Sequence, residues 1–210
     1  LRRYRRSAGW VHPGGVRRAR LALSGDLVST RLPCRCTRWA ILRAMLRRWF
    51  RRSDPARLRL LMVCTGNICR SPMAEAVIRA RVEDAGLGAL VLVDSAGTDG
   101  WHIGEDADPR ALRTLRTAGY DLTHSGRQIT TEWFLEPGRP DLLLTMDSSN
   151  YATVIDLAPD EAARERVRMM RSFDPVLAGL PAGDPRLDVP DPWYGDHDGF
   201  SDVLAMLEAA

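Results

Sequence analysis

From Leu58 onward, short apolar runs alternate with stretches in which apolar residues recur at helical spacing. Leu58 to Val63 is apolar except for Arg59, which predicts a buried strand. Leu90 to Val93, Leu142 to Met146 and Val167 to Met170 read the same way. Helices are predicted between them. Pro72 stands where helices begin, and Met73 to Ile78 continues from it. Pro109 to Ala118 predicts a helix closed by Gly119, Asn150 to Leu157 another, and Phe200 to Leu207 a last amphipathic one. Ser172 to Gly199 has no sustained period and reads as a long irregular segment of the kind that carries function. Strands alternating with helices predict one α/β domain over residues 58–210, its parallel sheet covered on both faces.

Residues 1–57 do not share this pattern. Arg-rich clusters alternate there with Gly and Pro, which predicts a disordered N-terminal extension. Charge divides the chain at the same place. Residues 1–57 hold 16 Arg against Asp26 and Asp54, a balance of +14. The remaining 14 Arg and 25 acids give residues 58–210 a balance of −11, which restores the overall +3. An acidic domain repels phosphate backbones, so no nucleic-acid partner is expected for it. No apolar run is long enough to span a membrane, and no leader of the secretory type is visible, so a cytoplasmic protein is expected. Of the cysteines, Cys34, Cys36, Cys64 and Cys69, none stands in a second pair or His cluster at zinc spacing. No metal and no cofactor are expected, and the thiols are expected to be reduced.

The chemistry concentrates in Val63-Cys-Thr-Gly-Asn-Ile-Cys-Arg-Ser-Pro72. A Cys followed six positions later by Arg is weak alone, because ~0.6 such matches are expected by chance in this composition. The context strengthens it. The segment joins the end of a predicted strand to the start of a predicted helix, where open α/β sheets bind ligands. Backbone N–H groups converge on an anion there, and the helix dipole favours negative charge. The same field favours the thiolate form of Cys64 as a nucleophile. Arg70 can grip two phosphate oxygens and follow them into the transition state. Gly66 suits an unusual backbone turn. Asn67 can hold the loop open through left-handed geometry or through side-chain hydrogen bonds, and Ser71 can donate to the sulfur.

At these residues the chain resembles the low-molecular-weight protein-tyrosine-phosphatase family, most closely its actinobacterial members. The match runs on in order through Ser95-Ala-Gly-Thr98, Trp101-His102 and Asp108-Pro-Arg110. Gly119-Tyr120, His124, Arg127-Gln128, Met146-Asp147 with Asn150, Arg171-Ser-Phe-Asp-Pro175 and Asp191-Pro-Trp-Tyr-Gly195 follow. The resemblance implies a three-layer sandwich of the phosphotyrosine protein phosphatase I type, with a four-stranded parallel sheet in the order 2-1-3-4. It implies hydrolysis of phosphotyrosine protein substrates by a monomer, through a phosphocysteine on Cys64. Arg70 is then the phosphate clamp, Asp191 the general acid and later the general base, and Thr65, Gly66, Asn67, Ile68, Cys69 and Ser71 the phosphate-binding loop. Ser95 and His124 correspond to residues that hold Asn67 in place. Trp193 and Tyr194 correspond to aromatic walls of the substrate cleft, with Trp101 facing them.

Other readings are weaker. Thioredoxin-coupled arsenate reductases share this fold and loop but pass a disulfide to further cysteines, and no cysteine follows Cys69. The phosphoarginine branch of the family carries threonine immediately before the second loop cysteine, where this chain has Ile68. A phosphate-binding scaffold without activity does not explain Cys64, Arg70 and Asp191 occurring together.

Overall fold

Four short strands form one parallel sheet in the order β2-β1-β3-β4: β1 (Leu58–Cys64), β2 (Val91–Gly97), β3 (Leu142–Thr145) and β4 (Val167–Met169). The sheet order is the expected one. In this computed structural model the described residues are 57–210, apart from Glu136, Asp196 and the side chain of His197. The expected disordered extension therefore lies, except for Arg57, outside the described residues.

The central strand shows why the sheet is buried on both sides. Successive side chains of a strand point to opposite faces. Met62 and Cys64 face a core completed by Met73 and Val77, Ala111 and Leu115, and Phe200, Val203 and Leu207. Leu61 and Val63 face a second core with Leu143, Val154, Ala163 and Val167. The first face is covered by α1 (Arg70–Asp84), α2 (Pro109–Thr117) and α5 (His197–Ala209), and the second by α3 (Ser148–Leu157) and the short α4 (Glu161–Arg164). A strand with no solvent face reads as a continuous apolar run, which is how β1 appears in the sequence.

The helices end where local chemistry says they should. Asp108, Asp147 and Asp160 cap α2, α3 and α4 by accepting the N–H of Arg110, Asn150 and Ala163. Gly119 closes α2 at φ +86°, with the Tyr120 N–H reaching back to Leu115 O at 2.9 Å.

Several expected boundaries move. Helix α1 begins at Arg70, so Pro72 is its third residue rather than its first. Proline is tolerated there because an amide in the first turn has no partner within the helix. Strand β2 continues four residues past Val93 to Gly97 and starts at Val91. Its polar half, Asp94-Ser95, is held by side-chain partners that an apolar run cannot reveal. Helices α3 and α5 start two and three residues earlier than expected, α3 at its Asp147 cap. The irregular segment after Met169 contains short 3-10 turns at Met170–Phe173, Pro185–Leu187 and Pro192–Tyr194, and another lies at Thr131–Phe134.

Two glycines separate backbone strain from steric exclusion. At Gly119 the φ is positive but a β-carbon meets nothing within 4 Å. Gly119→Ala should cost about 1–2 kcal/mol in denaturant unfolding and leave activity intact. At Gly97 a β-carbon would lie 2.6 Å from Thr65 O and 3.0 Å from Asn67 N, inside the loop that follows β1. Gly97→Ala should therefore reduce phosphate affinity as well as stability. Equal phosphate inhibition constants for the two variants would contradict this.

Candidate active site

The loop from Cys64 to Cys69 leaves the C-terminal end of β1 and enters α1 directly. Four of its carbonyls are bonded to donors from outside the loop. Cys64 O accepts from Thr98 N at 2.8 Å, Thr65 O from Asp99 N at 3.0 Å and Ile68 O from Asp108 N at 2.8 Å. Asn67 O accepts from His124 Nε2 at 2.7 Å, which requires the proton on that ring nitrogen. In a planar trans peptide the N–H points opposite the C=O. The amides of Thr65, Gly66, Ile68 and Cys69 therefore face the interior of the loop. The amides of Gly66 to Cys69 have no acceptor among the described residues. Such a ring of N–H groups at a helix N-terminus is an anion cradle.

Asn67 is the residue that bends the loop. It is the non-glycine residue with positive φ among those described, at 56°, and its side chain is fully buried. Both routes expected for it are used together. Its Oδ1 accepts from Arg127 N at 2.9 Å, which fixes the amide orientation. Its Nδ2 then donates to Ser71 Oγ and to Ser95 Oγ, each at 2.9 Å. Ser95 Oγ donates to Glu75 Oε2 at 2.5 Å, and Glu75 is held in turn by Arg79. Ser71 Oγ, already accepting from Asn67, lies 2.9 Å from Cys64 Sγ and can donate to it.

The turn expected at Gly66 is not one that only glycine adopts. Its φ is not in the left-handed region; instead the His102 ring carbon Cδ2 lies 3.1 Å from the place of a β-carbon. Ile68 and Cys69 are buried in the core beside Met73. Burial, with Asp108 nearby, pushes the Cys69 thiol far above its ordinary value, so it stays protonated.

Arg70 is the side chain on which the distant parts converge. Only 2% of it is exposed. One terminal nitrogen donates to Asp147 Oδ2 at 2.5 Å and Val189 O at 3.1 Å. The other donates to Asp191 Oδ2 at 2.5 Å and Thr65 Oγ1 at 3.1 Å. Burial works against its charge, but Cys64, Asp191 and Asp147 outweigh burial and raise its pKa. Its Nε is buried with no hydrogen-bond partner among the described residues. Asn150 completes the cluster. With its Nδ2 3.2 Å from both oxygens of Asp147, its Oδ1 accepts from Thr65 Oγ1 at 3.1 Å.

Asp191 begins the 3-10 turn Pro192–Tyr194 and caps it, Oδ1 accepting from Trp193 N at 3.0 Å. Trp193 and Tyr194 follow at the surface, 42% and 93% exposed. Trp101 is also exposed. The ring that meets Trp193 is His102, one residue further on, with centroids 6.0 Å apart. The structure thus gathers Cys64, Ser71, Asn67, Ser95 and His124 into one hydrogen-bonded cluster and Thr65, Arg70 and Asp191 into another, both built on the same loop. The residues without an expected role are Glu75, His102, Arg127, Asp147 and Asn150. A capping signal, Asp147 three residues before Asn150, and a lone carboxylate among the apolar residues Met73 to Val77 are what could have marked three of them. Among the described residues no cluster of His, Cys, Asp or Glu could hold a metal ion, and no helix is long and apolar enough to cross a membrane.

The chain is similar over this region to known proteins. Residues 59–210 match the family model described as low molecular weight phosphotyrosine protein phosphatase. The low molecular weight protein-tyrosine-phosphatase of Streptomyces coelicolor is 56% identical over 152 residues, 72% of this chain and 88% of the relative. Low molecular weight protein-tyrosine phosphatase A of Mycobacterium tuberculosis is 47% identical over 158 residues, 75% of this chain and 88% of the relative. Among solved structures, a protein tyrosine phosphatase of Entamoeba histolytica with Hepes in its active site superposes with a TM-score of 0.64 at 34% identity. That match covers 72% of this chain and 90% of the other.

The contrast between the two loop thiols is testable. If Cys64 is the nucleophile expected from the sequence, iodoacetate between about pH 6 and about pH 8 should alkylate it and spare Cys69, whose buried thiol stays protonated, since only a thiolate reacts readily. Inorganic phosphate should slow the reaction by filling the amide cradle. Equal labelling of the two residues, read by peptide mass spectrometry, would contradict this account.

Proposed function

Because the chain belongs to the low-molecular-weight protein-tyrosine-phosphatase family, we propose that Cys64 takes the phosphoryl group from phosphotyrosine side chains of protein substrates, with Asp191 as the proton donor. The observation that carries this reading is the loop geometry. Four amides whose carbonyl partners are bonded outward, and the unpartnered Nε of a buried Arg70, leave donors free in the loop that begins at Cys64. That arrangement suits the equatorial oxygens of a phosphoryl group, whose charge they stabilise in the transition state.

The steps follow from the contacts. The Cys64 sulfur attacks phosphorus and the bond to the tyrosyl oxygen breaks. That oxygen needs a proton as it leaves. Asp191 Oδ1 accepts from the Trp193 amide and Oδ2 accepts from Arg70; a bound phosphoryl group that draws the guanidinium away leaves Oδ2 free to carry the transferable proton. Water then attacks the phosphocysteine, and Asp191 takes its proton. Sulfur departs as thiolate, stabilised by the Ser71 hydroxyl. Ser95, His124 and Glu75 act at one remove, by holding Asn67 in its left-handed conformation.

Specificity for phosphotyrosine rests on the surroundings of the loop. Trp193 and Tyr194 offer flat faces to a phenyl ring at the cleft rim, and aromatic walls commonly line such sites. Ile68 places apolar bulk where the phosphoarginine branch has a hydroxyl. Phosphoserine and phosphothreonine are too short to reach the sulfur of a residue that is only 2% exposed. We also take the catalytic unit to be residues 58–210 acting as a monomer in the cytoplasm.

The test uses matched peptides carrying phosphotyrosine, phosphoserine or phosphoarginine. kcat/KM should be highest for phosphotyrosine by at least roughly 100-fold, the scale on which a site rejects a poorly fitting substrate. Cys64→Ser should abolish turnover, and Ile68→Thr should raise the phosphoarginine rate. A preference for phosphoarginine in the unmodified protein would overturn the substrate assignment. Turnover by Cys64→Ser would overturn the nucleophile.

A further inference from the structure

The turn that carries Asp191 is short, exposed and far along the chain from the loop it serves. Asp191 itself is 36% exposed at the side chain. Apart from the pair with Arg70, which a bound phosphoryl group must share, something has to hold this turn in register. Arg110, on the first turn of α2, is placed to do so.

The Arg110 guanidinium is clamped on one side by Asp108. Its Nε and one terminal nitrogen donate to the two Asp108 oxygens at 3.1 and 2.9 Å. Its other terminal nitrogen donates to Trp193 O and Gly195 O, both at 3.3 Å. These carbonyls lie two and four residues after Asp191. The guanidinium plane also sits against two rings, 5.5 Å from the Trp193 centroid and 4.8 Å from that of Phe200 on α5. On the other side, Asp108 donates its own N–H to Ile68 O of the phosphate loop. Asp108 and Arg110 therefore link the nucleophile loop to the acid turn. Burial opposes the charge on Asp108, but the hydrogen bonds from Arg110 outweigh it and hold its carboxyl below the ordinary range, so the clamp stays charged at neutral pH.

We infer that Arg110 is a positioning residue for proton transfer: by bolting the carbonyls of Trp193 and Gly195 to the start of α2, it holds Asp191 Oδ2 at the leaving oxygen. It touches neither the phosphoryl group nor the sulfur. A flexible acid still permits nucleophilic attack but delivers its proton less often, and this matters most when the leaving oxygen is basic. The inference rests on Asp191 being the acid.

The experiment measures kcat/KM for aryl phosphates whose leaving phenols run from acidic, such as p-nitrophenol, to unsubstituted phenol. It compares the unmodified protein with Arg110→Met, Arg110→Lys and Asp191→Asn. General acids contribute on the order of 10²–10⁴-fold, so a mispositioned one should lose roughly tenfold on phenyl phosphate and little on p-nitrophenyl phosphate. Arg110→Met should thus steepen the dependence on leaving-group basicity. Arg110→Lys should steepen it less, because an ammonium keeps the charge but not the fork that serves both Asp108 and the carbonyls. The inhibition constant for inorganic phosphate should stay within about twofold, since the cradle is untouched. In an Asp191→Asn background, Arg110→Met should add nothing further to the slope.

If Arg110→Met lowers all substrates by one common factor, or if the two changes add in the double variant, the positioning role is overturned. If Asp191→Asn itself leaves the slope unchanged, the acid assignment falls, and this inference with it. Should Arg110→Met not fold, Arg110→Lys carries the same slope comparison.

Discussion

A buried guanidinium held between two carboxylates organises this molecule. Arg70 comes from the first turn of α1, Asp147 from the cap of α3, and Asp191 from a turn near the end of the chain. Removing one partner of a buried ion pair typically costs about 3–5 kcal/mol, because it leaves a desolvated charge without compensation. The contact therefore ties together three segments that share no strand or helix. It also prepares the site electrostatically. A cation whose charge is largely balanced by neighbours can still offer its free Nε to an oxygen anion, at little cost in reorganisation when the reaction begins.

The second constraint is backbone direction. Once four loop carbonyls are bonded outward to Thr98, Asp99, Asp108 and His124, the intervening amides have nowhere to point but inward. The donors come from the segment after β2, the cap of α2 and the loop that follows α2. The cradle is thus made rigid by surrounding structure rather than by its own sequence. Close packing enforces the same result at Gly97, where a β-carbon would lie 2.6 Å from the backbone oxygen of Thr65.

These two constraints explain what was legible beforehand. Strand β1 and the sheet it centres were visible because burial on both faces leaves an unbroken apolar run. The phosphate loop was visible because Cys64, Arg70 and the strand-to-helix junction are contiguous. The polar half of β2 was not, since Asp94 and Ser95 are stabilised by Arg127 and Glu75, partners 33 and 20 residues away. The pairing of Arg70 with Asp147 across 77 residues was hidden for the same reason, although Asp147 could have been read as a helix cap. Gly66 shows the opposite limit: an unusual backbone turn was expected there, but its φ is not left-handed and the tight neighbour is the His102 ring.

The proposed chemistry requires a covalent intermediate at Cys64 within the amide cradle, with Asp191 proposed to assist its hydrolysis. The most direct measurement is rapid acid quenching of Asp191→Ala during turnover of a phosphotyrosine peptide, followed by mass spectrometry of the loop peptide. The account predicts a phosphoryl group on Cys64, appearing together with the released peptide and persisting longer than in the unmodified protein. A phosphoryl group on any other residue, or peptide release in the first turnover with no phosphoenzyme at any time, would contradict it.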